Sequence, residues 1–309
     1  MHMSKRKKRD YLFIVYPVLI FTLIFFIYQK NTLSFSSKII SPLPTNNYPS
    51  NIIKFFFTPE KNSENLKEKI LELIADQWKN YSVMVVDYKT NQTLTINESI
   101  IFTAASVNKL YILAGLYYLI QKDEIDPDNT ITLQSDDIQD YGTGSIRYDP
   151  AGTIYSIKTL ARLMMQKSDN TAAYVLANHI IGINKLQQII NDWGFIQTDI
   201  VNNKTSNKDV ALLMGKIINE KIASKAYTQE MLSLLKDSDF EDRLPALLPK
   251  TTLVYHKIGT EVGMVHDAGI VMTPNSKYYI GVFTSDITDE EQAASLIAKI
   301  SKVVYDFYN

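Results

Sequence analysis

Apolar residues recur along this chain with changing periods, and each change marks an element boundary. The first apolar stretch, Tyr11 to about Gln29, is uncharged and has no helical or strand alternation. At about 1.5 Å of rise per residue it is long enough to cross a bilayer core. A helix-period face comes next at Leu66, Ile70, Leu73 and Ile74, predicting a helix over about Ser63 to Trp78. Strand-like runs occupy Tyr81 to Asp87 and Thr93 to Ile96, with residues 88–92 as the hairpin turn. The longest buried-helix pattern starts at Ser106 and continues through the apolar run from Ile112 to Ile120. Beyond a polar, Asp-rich stretch from Asp123 to Gly144, helical periods recur at about Ser156 to Gln166, Thr171 to Ile180, Ile183 to Trp193, Asn207 to Ile222 and Thr228 to Lys236. Strand character returns at Leu253 to Ile258, Ala268 to Met272 and Tyr278 to Phe283, and an amphipathic helix from about Asp289 to Phe307 ends the chain.

Strands near both ends of this region with helices between them predict an α+β fold. Its antiparallel sheet is assembled from distant segments and flanked by helices, with an all-helical lobe inserted. The α/β lobe takes about residues 63–105 and 250–309, the helical lobe about 106–249, and the Ser106 helix lies at their seam, where substrate grooves form. The basic run Lys5-Arg6-Lys7-Lys8-Arg9 marks residues 1–10 as a cytoplasmic tail and residues 11–29 as a single-pass membrane anchor, with the remainder outside the cytoplasm. A cleaved signal peptide is the rival reading, but there is no Ala-x-Ala-like site after Tyr28. Residues 30–62, rich in Ser, Asn and Pro, read as a spacer.

Composition changes this picture in two respects. The formal net charge of −1 over 309 residues gives no general attraction to nucleic acid, so no nucleic-acid partner is expected. The absence of cysteine excludes disulfides and thiolate metal sites. The four histidines are scattered without metal-ligand spacing, so neither metal nor cofactor is expected. His179 reads as a packed core residue. His266 and Asp267, adjacent on a strand and therefore facing opposite sides, read as structural.

The chemistry concentrates at Ser106 and Lys109, which share a helix face at i, i+3, close enough for an amine to take a proton from a hydroxyl. Ser4 with Lys7 and Ser233 with Lys236 have the same spacing, so the pair alone is not diagnostic. Two motifs further along the chain distinguish Ser106. Ser168-Asp169-Asn170 stands at a junction between helices, and Lys257-Ile258-Gly259-Thr260 ends a strand. Three motifs in the order Ser-x-x-Lys, Ser-Asp-Asn, Lys-x-Gly resemble the class A β-lactamase and penicillin-binding serine hydrolase family. Tyr141-Gly142-Thr143-Gly144-Ser145 and the Ser168 to Ala173 hexamer add to the resemblance, which covers about residues 63–309.

The resemblance implies a β-lactamase/transpeptidase-like fold and a covalent acyl-enzyme formed on a β-lactam or a related amide or cell-wall peptide. Ser106 would be the nucleophile, Lys109 its base, and Ser168 the relay to the leaving nitrogen. Lys257 would attract the substrate carboxylate, and Asn170, Gly259 and Thr260 would contact substrate. The sequence departs from the pattern at Ile258, where the family usually has Thr or Ser. It departs again between Gly194 and Ser206, where class A enzymes carry a longer loop with a Glu that activates the deacylating water; here the only carboxylate is Asp199. The expectation is a serine hydrolase of β-lactamase or D,D-carboxypeptidase type in which acylation is retained and deacylation is impaired. The alternatives are a D,D-peptidase-type penicillin-binding protein and a catalytically faded extracellular sensor domain.

Overall fold

The computed structural model describes residues 63–309, so the expected tail at 1–10, anchor at 11–29 and spacer at 30–62 lie outside the described residues. Among the described residues no helix is long and apolar enough to cross a membrane. Helix α1, Ser63–Ile74, buries Leu66, Ile70 and Ile74 on one face. It stops short of Trp78 because Ala75 turns into the left-handed region at φ 38°. Strands β1, Asn80–Asp87, and β2, Thr93–Ile96, form the expected hairpin, with Val83 opposite Ile96. The Asp87 carboxylate accepts from Lys89 N and Thr90 Oγ1 inside the turn.

Strand β3, Ile101–Thr103, leads into a 3₁₀ turn, Ala105–Asn108, and then helix α2, Lys109–Gln121. Ser106 therefore sits on the tighter turn and Lys109 opens the α-helix, a difference from the single helix that the apolar spacing suggests. Next come β4, Thr130–Thr132, and β5, Ile154–Ser156, which pair with each other, and helix α3, Ile157–Gln166. Helix α4, Asn170–Val175, runs on as a π-helical turn, Leu176–Ile181, before α5, Ile183–Asp192. Strand β6, Lys204–Ser206, pairs with β3 and precedes α6, Asn207–Ile218, and α7, Lys225–Leu234. The chain closes with β7, Leu253–Glu261, β8, Met264–Met272, β9, Lys277–Ser285, and α8, Glu290–Tyr308.

The main sheet has the order β2-β1-β9-β8-β7 and is antiparallel throughout. Both faces are covered, which is why its central strands read as continuous apolar runs. Along β9, Tyr278, Ile280 and Val282 join a core with α1 and α8, whereas Tyr279 and Phe283 join the core on the helical side. Helix α6 packs against the sheet. Its first residue, Asn207, donates through Nδ2 to Gly281 O at 2.9 Å and Ser82 Oγ at 3.0 Å, and accepts from Tyr279 Oη at 2.7 Å. Edge strand β7 lies against the 3₁₀ turn and brings the distant Lys257 segment to Ser106.

A methyl group at Gly281 would collide with Asn207 Oδ1 and the Tyr279 hydroxyl. Gly281→Ala is expected to lower stability by about 1–3 kcal/mol, read from denaturant unfolding, by prising α6 from the sheet.

Candidate active site

Three stretches far apart in sequence converge on one amine. Lys109 is only 3% exposed, and its Nζ lies 2.9 Å from Ser106 Oγ, 2.6 Å from Ser168 O, 3.2 Å from Ser168 Oγ and 2.7 Å from Asn170 Oδ1. An ammonium has three hydrogens for these four oxygens; a neutral amine has two and a lone pair able to accept from a hydroxyl. Burial lowers the Lys109 pKa well below its ordinary value, and the Lys257 charge lowers it further, against a smaller opposing pull from Asp169. Lys257 Nζ stands 3.0 Å from Ser168 Oγ, so Ser106, Lys109, Ser168 and Lys257 form one chain of contacts. Burial moves the Lys257 pKa down to about 7, with Asp267 opposing and Arg243 adding to the shift.

Local backbone strain holds both serines. Ala105, immediately before Ser106, has φ 47°, and Ser168 itself has φ 52°. Such conformations are costly for residues with a Cβ and persist only where the surroundings over-determine them. At Ser168 the surroundings are the Tyr141 to Ser145 loop: Thr143 Oγ1 donates to Ser168 O, Asn170 Nδ2 donates to Tyr141 O, and the Asp169 carboxylate accepts from the N–H groups of Ser145, Ile146 and Ala172. Gly142 and Gly144 have positive φ, and a Cβ on either would strike Asn170 or Asp169. At Gly259 the missing side chain makes room for the protein itself, because a Cβ would meet Ala104 O at 2.9 Å and Ala105 Cβ at 3.2 Å. This glycine lets β7 press against the Ser106 turn.

Ser106, Lys109, Asn170 and Thr260 line an open cavity of about 770 Å³. Ser168 and Lys257 are buried behind it and in contact with each other, and Ser168 also contacts Lys109. Ile258, the departure in the third motif, is buried, and an arginine that the motif pattern did not single out reaches the neighbouring position. Arg243 donates to Thr260 Oγ1 at 2.6 Å, Gly259 O at 3.1 Å and His266 O at 2.7 Å. The available signal was a lone Arg entering the apolar, Pro-containing segment before β7.

The short 194–206 connection is tied to the Ser106 turn by Asn108 Nδ2 donating to Asn203 Oδ1 at 2.9 Å and Ala104 N donating to Asn203 O at 2.8 Å. Asp199 accepts from Asn202 N and Nδ2, and those bonds hold its pKa down. Among the described residues lining the cavity, Glu261 is the only carboxylate.

The histidines depart in part from expectation. His179 is not in the core: its side chain is 43% exposed, and Nε2 pairs with Asp137 Oδ1 at 2.7 Å. His266 is structural, accepting from Thr284 N and contacting Thr103 O, and burial lowers its pKa to about 4. Asp267 contacts His256 Nδ1 at 2.9 Å and accepts from Leu244 N, which anchors the Arg243 turn.

Comparison with known proteins adds to this geometry. A family model described as "Beta-lactamase enzyme family" matches residues 65–308. Beta-lactamase VEB-1 of Pseudomonas aeruginosa is 23% identical over 83% of this chain and 96% of its own length. A beta-lactamase of Bacteroides uniformis is 25% identical over 69% of this chain and 81% of its own. Among solved structures, PBP-A superposes with a TM-score of 0.73 at 26% identity, covering 78% of this chain and 95% of that one. A mutant of PBP-A is solved as an acyl-enzyme complex with penicillin-G. A beta-lactamase from Chitinophaga pinensis DSM 2588 superposes with a TM-score of 0.75 at 25% identity, covering 79% of this chain and all of that one.

Burial disfavours the charged form of the His256 ring, but Asp267 and Glu241 outweigh it and raise its pKa from 6.5 to about 9. A raised folded-state pKa contributes stability in full below the unfolded value and loses it as pH rises through the folded one. The stability advantage of wild type over His256→Gln is therefore expected to shrink between about pH 6.5 and 9. Chemical denaturation of both proteins across that range checks it.

Proposed function

This chain belongs to the beta-lactamase enzyme family, and from that premise we propose that it is an acyl-enzyme-forming serine hydrolase acting on β-lactams or related amides, with slow deacylation. The unbroken contact chain from Ser106 through Lys109 and Ser168 to Lys257 is the observation that carries this reading. In the proposed reaction the Ser106 hydroxyl gives its proton to neutral Lys109 as Oγ bonds to the carbonyl carbon. The N–H groups of Ser106 and Thr260 hold the resulting oxyanion. The C–N bond then breaks, and the proton on Lys109 passes through Ser168 to the leaving nitrogen. Lys109 is left neutral and Ser106 esterified. Lys257, Thr260 and Arg243 hold a carboxylate on the leaving-group side.

Deacylation needs a base for water, a contribution of typically ~10²–10⁴ in rate. Asp199 is engaged by Asn202, and Glu261, the one carboxylate among the described residues lining the cavity, is at the end of β7. The same feature favours a second reading, a D,D-peptidase-type penicillin-binding protein whose natural substrate is a cell-wall peptide. A faded sensor domain has no evident need for all four residues of the contact chain. We place the domain outside the cytoplasm on an N-terminal anchor, on the strength of the basic run at 5–9 and the apolar segment at 11–29.

Incubation with penicillin, followed by intact mass, is expected to yield a lasting adduct on Ser106 that Ser106→Ala abolishes. Quick turnover of a chromogenic cephalosporin would contradict slow deacylation, and absence of any adduct would contradict the enzyme reading. Acylation should also fall as pH rises past about 7, where Lys257 loses its proton, because the substrate carboxylate then loses a counter-charge. A labelling rate unchanged to pH 10 would remove that role from Lys257.

A further inference from the structure

His266 is a fully buried titratable side chain outside the Ser106 to Lys257 contact chain, and both of its ring nitrogens are engaged by backbone. Thr284 N on β9 lies 3.2 Å from Nδ1, and an amide N–H can only donate, so Nδ1 carries no proton. The ring proton is therefore on Nε2, which donates to Thr103 O at 2.9 Å. Phe283 stacks on the imidazole at 4.8 Å between centroids, and Phe102 meets it edge-on at 5.8 Å, so the ring plane is fixed as well. Burial lowers its pKa to about 4, against the opposing bond to Thr103 and with the Arg243 charge adding to the shift.

The bond to Thr103 acts close to the reacting serine. Thr103 O belongs to the peptide unit that joins Thr103 to Ala104, and the N–H of the same unit donates to Asn203 O at 2.8 Å. Both ends of that unit are thus held, one from the main sheet and the other from the 194–206 connection. Ala105 follows at once with φ 47°, and then Ser106. A left-handed residue with a Cβ persists only where its surroundings over-determine it, and the clamped peptide unit fixes the direction from which the chain enters it. The backbone of His266 faces the third motif. His266 pairs with Gly259 in the β7–β8 register, and its carbonyl accepts from Arg243 Nη1, which also donates to Gly259 O. Arg243 Nη2 donates to Thr260 Oγ1. One residue thereby references the Ser106 segment and the Thr260 segment to each other.

We propose that His266 is a positioning residue for acylation: its Nε2–H bond to Thr103 O sets Ser106 Oγ and the Ser106 N–H against the Thr260 N–H. The inference rests on the acyl-enzyme reading. The geometry it fixes matters most where charge develops on the attacked carbonyl, so losing the bond should slow the bond-forming step and leave noncovalent binding nearly unchanged.

The test follows penicillin labelling over a concentration series, which separates the limiting acylation rate from the apparent affinity. His266→Phe keeps an aromatic ring between Phe102 and Phe283 but offers Thr103 O no N–H. It should lower the limiting rate by about 10–100-fold, the scale that a ~1 Å misplacement produces, with apparent affinity within about twofold of wild type. His266→Gln, whose side-chain amide can donate to Thr103 O, should recover most of that loss. Thermal melting reports whether each variant is folded. A folded His266→Phe protein with the wild-type limiting rate, or with its whole loss in affinity, overturns the positioning role while leaving the acyl-enzyme reading in place. A folded His266→Gln protein no faster than His266→Phe does the same. If the variants do not fold, imidazole ¹⁵N shifts of the wild-type protein at neutral pH decide the matter: a protonated Nε2 and bare Nδ1 at His266 support the role, and the other tautomer overturns it. No penicillin adduct on the wild-type protein sinks both readings.

Discussion

A lysine amine withdrawn from water beside a serine hydroxyl is the constraint around which this fold is arranged. Lys109 is buried among four oxygens, and a charged ammonium would be poorly served there by solvent. Holding it requires a helix that is apolar on nearly every side, and α2 buries eleven of its thirteen residues. It also requires the Ser168 carbonyl and the Asn170 amide from the helical side, and a second cation from the sheet edge. Those groups come from three separate elements, so the amine's environment exists only once the two cores are packed. The strained conformations at Ala105 and Ser168 are the local cost of that arrangement.

Around Lys109 the structure uses its other charges for positioning. Asp169 lies next to Ser168, and its carboxylate is engaged by three backbone N–H groups that fasten the Tyr141 loop over the site. Asp267 joins His256 to the Leu244 backbone, and the preceding Arg243 reaches Thr260. Among the described residues lining the cavity Glu261 is the one carboxylate, and Lys257 and Arg243 are buried behind it.

Much of the fold was legible because its strands and helices bury large, regular faces. The five strands of the main sheet and most helix positions are readable from period alone. The three-residue strands β3, β4, β5 and β6 are too short to show alternation, and the π-helical turn has no distinct sequence period. Helix α6 looks like any amphipathic helix; its placement on the sheet depends on Asn207 finding Gly281 and Ser82 across the interior. His179 sits among apolar neighbours in sequence, yet it emerges from the helix toward Asp137.

Ser233 and Lys236 show where the sequence stops being informative. They share the spacing of Ser106 and Lys109, but Ser233 Oγ bonds Glu230 O within its own helix and Lys236 lies 3.6 Å from Asp237 near the surface. The sequence by itself determined the order of the three motifs, the α+β alternation and the short connection lacking a Glu, because these are properties of neighbours along the chain. Tertiary structure alone decided which lysine is dried and surrounded by oxygens, and that Arg243 stands beside Thr260. Burial and side-chain contact are set by elements that meet across the fold, and residue spacing along one helix carries no record of them.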